Sequence, residues 1–148
     1  MKFEFSAGGV VLRYTQDFGS KPQSTKKGVE ILVCQHSQHH GWVFPKGLIG
    51  DHVPGEQKED TAIREVEEET GAKGKILKPL TPVEYWYSFE GEKIHKTVYY
   101  FLMEYIGGDI TKHDFEMENV EWLPKSEVAE RLTYESDKKV WQEAQKLI

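Results

Sequence analysis

GDHVPGE at residues 50–56, followed by REVEEETGA at residues 64–72, is the most informative stretch of this chain. The first segment is rich in turn-forming residues and predicts a shaped loop. The second is rich in helix-forming residues, and Gly71 is typical of the position that ends a helix. We therefore predict a loop followed by a helix that runs roughly from Glu56 to Thr70.

Three glutamates on the predicted helix form an acidic cluster. Glu65, Glu68 and Glu69 lie at positions i, i+3 and i+4, so their side chains share one face. Like charges at this spacing destabilise a helix, and a glutamate-rich face is most often only solvated. The alternative is a face that holds a cation. Mg²⁺ or Mn²⁺ would suit carboxylate oxygens, whereas Zn²⁺ prefers histidine and cysteine.

The other sides of this helix have different expected contacts. Arg64 is expected to project to a different side from Glu65, where it could pair with Glu56 two turns earlier. An apolar arc is expected to pack on a sheet, because it would otherwise face water; it consists of Ala62, Ile63 and Val66.

Composition limits the classes of protein that fit. The chain has 148 residues and no low-complexity segment, which predicts one folded domain over residues 1–148. The net charge of −6 argues against tight nonspecific binding to a nucleic acid duplex. Cys34 is the one cysteine and lies in an apolar run, so we predict a buried structural thiol. The sequence shows neither a signal peptide nor an apolar run long enough for a membrane span, which favours a cytoplasmic protein without a membrane partner.

The remaining pattern mixes strands and helices and predicts an α+β fold. Gly8-Gly9 inside the first strand indicates a bulge or a close backbone approach. Ser136 or Asp137 is expected to cap a final helix that ends at Leu147. Strands are expected at residues 3–14, 29–36 and 120–123, paired strands at 76–89 and 93–106, a mobile hairpin loop at 15–28, and a shaped loop at 46–55.

The full pattern of the opening stretch is more specific than its glutamates alone. Gly50, Glu56 and the segment from Arg64 to Ala72 keep a fixed spacing, and this combination resembles the Nudix box of Nudix hydrolases. Members of that family hydrolyse a nucleoside diphosphate linked to another moiety, with Mg²⁺ or Mn²⁺ as cofactor. The resemblance implies an α/β/α sandwich with a mixed β-sheet, in which the box is a loop–helix–loop.

The resemblance also implies a role for each polar residue of the box. Glu65, Glu68 and Glu69 would bind the metal, and Glu65 is also a candidate for activating water. Arg64 would orient these carboxylates, and Glu56 would brace the loop.

Two glycines are candidates for the backbone carbonyl that would complete the metal site. Many family members place the box glycine in a Pro-Lys-Gly or Pro-Gly-Gly triplet, which here is Gly47 in residues 45–47. Gly50, in contrast, holds the formal spacing to Glu56. The sequence leaves both open as metal ligands.

Segments outside the box resemble the asymmetric diadenosine tetraphosphate hydrolases within the family. Lys46 stands where other branches carry glycine and could reach a polyphosphate, and Lys96 would be a second phosphate ligand. Tyr134, just before the last helix, is the candidate for stacking on adenine, and Tyr87 is a candidate for lining the cleft. Three other residues of the aromatic strands are expected in the core: Trp86, Tyr100 and Leu102.

Two loop residues are further candidates. Glu116 lies six residues before Trp122, a spacing at which the family places a general base or an additional metal ligand. His40, in the pair His39-His40, is a candidate phosphate donor, because the branch often has a histidine next to a tryptophan at this point. Gly41 separates the pair from Trp42 in this chain, so a pair of solvent-exposed histidines is the alternative.

The leading hypothesis is metal-dependent hydrolysis of diadenosine tetraphosphate, or of a similar nucleoside polyphosphate, to ATP and AMP by a monomer or weak homodimer. One alternative is another Nudix substrate: a nucleoside triphosphate, an RNA 5′ end, ADP-ribose or an inositol pyrophosphate. The acidic composition disfavours RNA and any stable nucleic acid partner. A second alternative is a regulatory domain that binds a nucleotide without catalysis, although such domains often lack box carboxylates that are complete here.

Overall fold

A computed structural model describes residues 1–16 and 27–148. The first strand runs to Gln16, and the second strand starts at Lys27. Each strand therefore contains one end of the hairpin loop predicted at residues 15–28. The rest of that predicted loop lies outside the described residues.

Eight strands in the described part of the chain form a mixed sheet. Strands β1 and β7 run parallel along its centre, and every other pair is antiparallel. The order along the sheet is β3-β2-β1-β7-β5, with β4 added to β1, β6 to β7 and β8 to β2. The strands are β1 (Lys2–Gln16), β2 (Lys27–His36), β3 (Trp42–Val43), β4 (Lys46–Leu48), β5 (Ala72–Pro79), β6 (Val83–Phe89), β7 (Glu92–Gly108) and β8 (Met117–Pro124).

The helices cover both faces of the sheet. Helix α1 (Lys58–Thr70) packs on one face, and α2 (Val128–Arg131) and α3 (Glu135–Ala144) pack on the other. Single 3₁₀ turns lie at Ile110–Lys112, Lys125–Glu127 and Gln145–Leu147. The predicted α/β/α arrangement with a mixed sheet is confirmed. None of the helices in the described part of the chain is long and apolar enough to cross a membrane.

Alternation along β1 explains the two-sided core. Val10 and Leu12 belong to the cluster under α2 and α3, whereas Ala7 and Val11 belong to the cluster under α1. Successive strand residues point to opposite faces, so a strand buried on both sides is apolar at consecutive positions. Cys34 is fully buried, as predicted for a structural thiol.

Two glycines of β1 allow the box loop, residues 45–57 before α1, to approach the sheet. A Cβ at Gly8 would lie 2.1 Å from the carbonyl oxygen of Pro45, and the Gly9 amide donates to that same oxygen at 3.1 Å. The predicted close backbone approach is therefore confirmed. At the other end of the box, α1 ends as predicted at Gly71, whose φ of 82° is in the left-handed region.

Several local predictions were wrong. The segment predicted as one strand at 76–89 is divided into β5 and β6, both of which pair with β7. Pro82 lies between them and has no amide hydrogen for the ladder. The predicted loop at 46–55 begins as β4, because its first three residues pair with Ser6–Gly8 of β1. Trp86 is 49% exposed and lies outside the core, whereas Tyr100 and Leu102 are buried as expected.

The start of the last helix also differs from the prediction. Helix α3 begins at Glu135 with Tyr134 at the N-cap position, and no side chain caps it. Asp137 is buried inside the first turn, and its Oδ1 accepts a hydrogen bond from the Phe44 amide at 3.2 Å. The helix proper ends at Ala144, and a 3₁₀ turn continues to Leu147.

Candidate active site

An acidic cavity of about 340 Å³ lies beside α1 and β4. It brings together residues that are far apart in sequence, because α1, the box loop and the loop before β8 all border it. Most of its polar lining is ionisable: the carboxylates of Asp51, Glu65, Glu68, Glu69, Asp114 and Glu116, the ammonium groups of Lys46 and Lys96, and the imidazoles of His36, His39 and His52.

The packing of α1 explains why its glutamates reach the cavity. Ala62 and Val66 are fully buried against the sheet, which fixes the rotation of the helix about its axis. Glu65 and Glu69 then lie at the edge of the buried face and are themselves buried, whereas Glu68 is exposed. The three residues predicted to share one face therefore line one cavity.

The cavity contains a constellation with the chemistry of a metal site. One ligand atom each from His52, Glu65 and Glu68 lie within 4.8 Å of one another. Glu69 lines the same cavity, and its Oε2 accepts a hydrogen bond from the Lys46 amide at 3.1 Å. The sequence indicated the glutamates by their helical spacing. It gave no comparable signal for His52, because a histidine in an irregular loop has no periodicity.

The two candidate glycines occupy different environments. A Cβ at Gly47 would lie 2.1 Å from the Glu65 carboxyl carbon, so Gly47 lies directly against a cavity carboxylate. Gly50 has a φ of +76°, and the nearest atom to a Cβ there is the Val53 carbonyl oxygen at 3.9 Å. Gly50 lines a shallow cavity with Phe3 and Phe5, which shares Leu48 and Asp51 with the acidic cavity. The structure thus brings Gly47, and not Gly50, to the acidic cavity.

Arg64 connects the box loop to the acidic cluster. Its Nε and Nη2 donate to both carboxylate oxygens of Glu56, at 3.0 and 2.9 Å. Its Nη1 donates to Glu65 Oε1 at 3.0 Å and to Glu68 Oε2 at 3.1 Å. The ion pair with Glu56 is the one expected from the sequence. The expectation that Arg64 turns away from Glu65 was wrong, because the long side chain bends back over the helix.

These contacts set the protonation of the cluster. Hydrogen bonds from Arg64 and Thr61 hold the pKa of Glu56 below its ordinary value. The carboxylates of Glu56, Glu68 and Glu65 in turn raise the pKa of Arg64. Burial raises the pKa of Glu65, although the charge of Arg64 opposes it. Burial raises the pKa of Glu69 to about 8, against the opposing charge of Lys46. Without a cation, Glu69 is therefore largely protonated at neutral pH.

The two candidate lysines lie in different electrostatic environments. Burial lowers the pKa of Lys46, but Tyr85, Asp137 and Glu69 outweigh burial and leave the pKa raised above its ordinary value. The pKa of Lys96 is lowered by burial and by the charge of Lys46. Lys96 Nζ lies 4.0 Å from Glu4 Oε1. Both lysines line the acidic cavity as predicted phosphate ligands would.

A second cavity of about 430 Å³ adjoins the first and is lined by aromatic side chains. The two cavities share His39, Val43 and Lys46. Tyr134, the predicted base-stacking residue, and Tyr87, predicted to line the cleft, both line the second cavity. The Tyr134 hydroxyl lies 2.9 Å from His39 Nδ1, and the Tyr87 hydroxyl donates to the Glu4 carboxylate.

The two loop candidates differ in position. Glu116 lines the acidic cavity, and its carbonyl accepts hydrogen bonds from both the amide and the hydroxyl of Ser37 at 2.9 Å. His40 lines neither cavity; its Nδ1 contacts Glu118 Oε1 at 2.5 Å and its side chain is mostly exposed. His39, one residue earlier, lines both cavities instead. The turn at residues 37–40 decides which histidine faces inward.

Asp137 is a buried carboxylate whose titration can be tested. Burial raises its pKa, and the positive charge of Lys46 offsets this only in part. As the pH rises above about 4, Asp137 ionises in the unfolded chain while the folded protein still holds the proton, so the folded state loses stability up to the raised pKa. Asp137→Asn removes this titration and keeps an acceptor oxygen for the Phe44 amide.

We therefore expect the stability of Asp137→Asn, relative to the wild type, to increase as the pH rises through that window. Urea denaturation at a series of pH values from 4 to 7 measures the difference in free energy of unfolding. Parallel profiles for the two proteins would show that the carboxyl does not carry a raised pKa.

Comparison with known proteins agrees with this geometry. Residues 22–144 match the family model described as NUDIX domain. Over 146 residues the chain is 36% identical to a Mycobacterium tuberculosis protein named "Putative mutator protein MutT4", covering 98% of this chain and 56% of that protein. It is 30% identical to the 8-oxo-(d)GTP phosphatase of Mycolicibacterium smegmatis, covering 91% of this chain and 39% of that protein. The chain thus spans about half the length of these two relatives or less.

A third relative has a similar length. The asymmetrical bis(5′-nucleosyl)-tetraphosphatase of Rattus norvegicus is 30% identical over 129 residues, which cover 86% of each chain. Among solved structures, a C. elegans Ap4A hydrolase binary complex has a TM-score of 0.60 at 22% identity, covering 97% of this chain and 96% of that one.

The NUDIX domain of Shewanella oneidensis NrtR, crystallised with ADP ribose, has a TM-score of 0.70 at 19% identity, covering 99% of this chain and 89% of that one. Identities this low show only that the fold is shared. The match of the family model over most of the chain, together with the box geometry, shows that the chain belongs to the Nudix family.

Proposed function

We propose that this chain hydrolyses a pyrophosphate bond of a nucleoside polyphosphate, and that its substrate is diadenosine tetraphosphate, cleaved to ATP and AMP. The observation that carries the proposal is the adjacency of two cavities. An acidic cavity with two lysines meets an aromatic cavity, and Lys46 lines both. A substrate that is aromatic at its end and anionic along its length matches this pair of cavities.

The residues of the acidic cavity fit a divalent cation. Hard oxygen ligands from Glu65 and Glu68 lie close together, and Gly47 lacks the Cβ that would fill the space against Glu65. We propose that Glu65, Glu68 and Glu69 would hold Mg²⁺ or Mn²⁺, with the carbonyl of Gly47 as a further ligand. The ion would supply positive charge that offsets the phosphate charge in the transition state.

The chain's own side chains would do the remaining chemistry. Lys46 and Lys96 would bind phosphate oxygens and stabilise the negative charge of the leaving group. Either Glu65 or Glu116 would accept the proton of the attacking water, since both line the same cavity. The oxygen of that water bonds to the phosphorus at one end of the chain and stays on AMP. The bridging P–O bond breaks, and ATP leaves with the bridging oxygen.

The aromatic cavity would hold one adenosine. Tyr134 and Tyr87 line it, and stacking on an aromatic ring stabilises any base without reading its hydrogen-bonding edge. We therefore expect the enzyme to accept other bases in place of adenine. The relative named as an asymmetrical bis(5′-nucleosyl)-tetraphosphatase supports the choice of substrate.

A second candidate is hydrolysis of a nucleoside triphosphate. This candidate is favoured by the relatives named as a mutator protein and as an 8-oxo-(d)GTP phosphatase. The aromatic cavity accommodates a single nucleoside, so the geometry allows this substrate as well. The two candidates differ in whether a second nucleoside lies at the far end of the phosphate chain.

Turnover of a substrate panel with product identification tests the proposal. Purified protein with Mg²⁺ or Mn²⁺ is incubated with diadenosine tetraphosphate, the nucleoside triphosphates, 8-oxo-dGTP and ADP-ribose, and the products are separated by ion-exchange chromatography. We expect diadenosine tetraphosphate to have the highest kcat/KM and to yield ATP and AMP in equal amounts.

Other outcomes would identify the alternatives. A symmetric split into two ADP would contradict the proposed position of attack. A large preference for triphosphates would favour the second candidate. Measurable nucleotide binding without metal-dependent turnover of any compound would indicate a regulatory domain.

A further inference from the structure

Phe115 is an exposed aromatic residue at the rim of the acidic cavity. Its side chain is 88% exposed, and it belongs to none of the hydrophobic clusters formed by the described residues. Asp114 and Glu116, the residues on either side of it, both line the acidic cavity. Single exposed phenyl rings are common on protein surfaces. The position of Phe115 between two cavity-lining residues, and not its exposure alone, therefore makes it a candidate for contact with a ligand.

The loop that carries Phe115 is held on both sides by backbone hydrogen bonds. The Asp114 amide donates to the Glu68 carbonyl at 3.2 Å, which attaches the loop to α1. The Ser37 amide donates to the Glu116 carbonyl at 2.9 Å, which attaches the loop to the end of β2. The Glu116 amide also donates to Asp114 Oδ1 at 3.1 Å. The backbone on both sides of Phe115 is therefore fixed, which would reduce the entropy lost when the ring contacts a ligand.

The layout of the two cavities leaves one part of a two-ended substrate without a pocket. The aromatic cavity of about 430 Å³ accommodates one nucleoside. The acidic cavity next to it is lined by carboxylates and lysines and suits the phosphates. Glu116 borders the acidic cavity but not the aromatic one. A second nucleoside at the far end of the phosphate chain would therefore lie outside both cavities, either at the rim that carries Phe115 or in the shallow cavity of Phe3 and Phe5. The hydrogen bonds that hold the backbone on both sides of Phe115 favour the rim.

We propose that Phe115 is a specificity-determining residue that stacks on the second base of a dinucleoside polyphosphate. The inference rests on the proposed function, and it adds a contact that only a two-ended substrate can make. A one-ended nucleotide would fill the aromatic and acidic cavities without reaching Phe115.

Equilibrium binding separates this contact from turnover. Isothermal titration calorimetry would compare a nonhydrolysable methylene-bridged diadenosine tetraphosphate with the corresponding one-ended adenosine tetraphosphate analogue, both with Mg²⁺. We expect the wild type to bind the two-ended analogue roughly 5- to 150-fold more tightly, the range expected for stacking one base on an aromatic side chain. Phe115→Ala should remove most of this preference, and Phe115→Trp should retain it.

A matched control is available on the same protein. Phe89 is also a strongly exposed phenylalanine, at 61%, but it lies at the end of β6 and lines neither cavity. Phe89→Ala should keep the wild-type preference. If the wild type binds both analogues equally, or if Phe115→Ala keeps the preference, the assignment of Phe115 is overturned. Loss of the proposed hydrolytic function would instead appear as absent turnover with the binding preference intact.

Discussion

Glu69→Gln is expected to lower kcat/KM for the preferred substrate on the order of 10³-fold while leaving the fold intact. The glutamine keeps the shape and an acceptor oxygen for the Lys46 amide, which now donates to Glu69 at 3.1 Å. It cannot supply the negative charge that a divalent cation requires from a carboxylate. The loss should therefore appear in turnover and in metal affinity rather than in stability.

The stability of the variant follows from the protonation of Glu69 in the protein without metal. Burial raises the pKa of Glu69 to about 8, so the carboxyl is largely neutral at pH 7. Replacing a neutral carboxyl by a neutral amide changes little in the folded state. In the unfolded chain at pH 7, however, Glu69 is ionised, so holding its proton costs the folded wild type stability that Glu69→Gln regains. We expect the Tm of the variant, measured at pH 7 with EDTA present, to be at least as high as that of the wild type.

Glu67→Gln is the matched control, because it makes the same chemical change two residues away on α1. The Glu67 side chain lines neither cavity, and it forms no ion pair or side-chain hydrogen bond with the described residues. Its turnover should match the wild type within about twofold. A loss of less than tenfold for Glu69→Gln, or an equal loss in both variants, would contradict the role given to Glu69.

Gly47→Ala is expected to lower kcat/KM about 10²-fold, the size of effect produced when a catalytic group is displaced by about 1 Å. The new Cβ would lie 2.1 Å from the Glu65 carboxyl carbon and 2.2 Å from its Oε2. The carboxylate is the end of a movable side chain, so it should shift while the backbone stays in place. The shift would move Glu65 away from Arg64 Nη1, which now donates to it at 3.0 Å.

Gly50→Ala tests the competing glycine. Its φ of +76° makes alanine unfavourable by about 1 kcal/mol, but a Cβ there has no neighbour closer than 3.9 Å. We expect a lower Tm and nearly unchanged turnover. Thermal melts and kcat/KM measured for both variants distinguish Gly47 from Gly50 as the residue that supplies the ligand carbonyl. A greater loss of turnover in Gly50→Ala than in Gly47→Ala would assign the ligand carbonyl to Gly50.

The features predicted correctly depend on contacts that are local in sequence. Helix α1 follows from residues within a few turns of one another, and its end follows from Gly71, whose backbone adopts the left-handed conformation that glycine permits. The shared face of Glu65, Glu68 and Glu69 needs only the helical period. The strand predicted at residues 3–14, observed as Lys2–Gln16, similarly required no knowledge of its partners.

The features that were predicted wrongly, or that the sequence left open, depend on contacts between distant segments. Trp86 has the strand spacing of a core residue, but it lies on β6 at the edge of the sheet and is half exposed. His40 and His39 differ by one position in a turn, and the φ of +60° at His40 belongs to the conformation that directs His39 to the cavities. No periodicity in the sequence could distinguish these two histidines.

The sequence by itself determined the family, the acidic helix and the residue types of the chemistry, because a box with fixed spacing encodes a local loop–helix–loop. Only the tertiary structure decided which groups meet around it. The pairing of β4 with β1 places Gly47 against Glu65, and the packing of α3 brings Tyr134 beside Lys46 in one cavity. These juxtapositions depend on backbone approaches across the sheet, such as the one that Gly8 permits, and such long-range contacts leave no regular spacing along the chain.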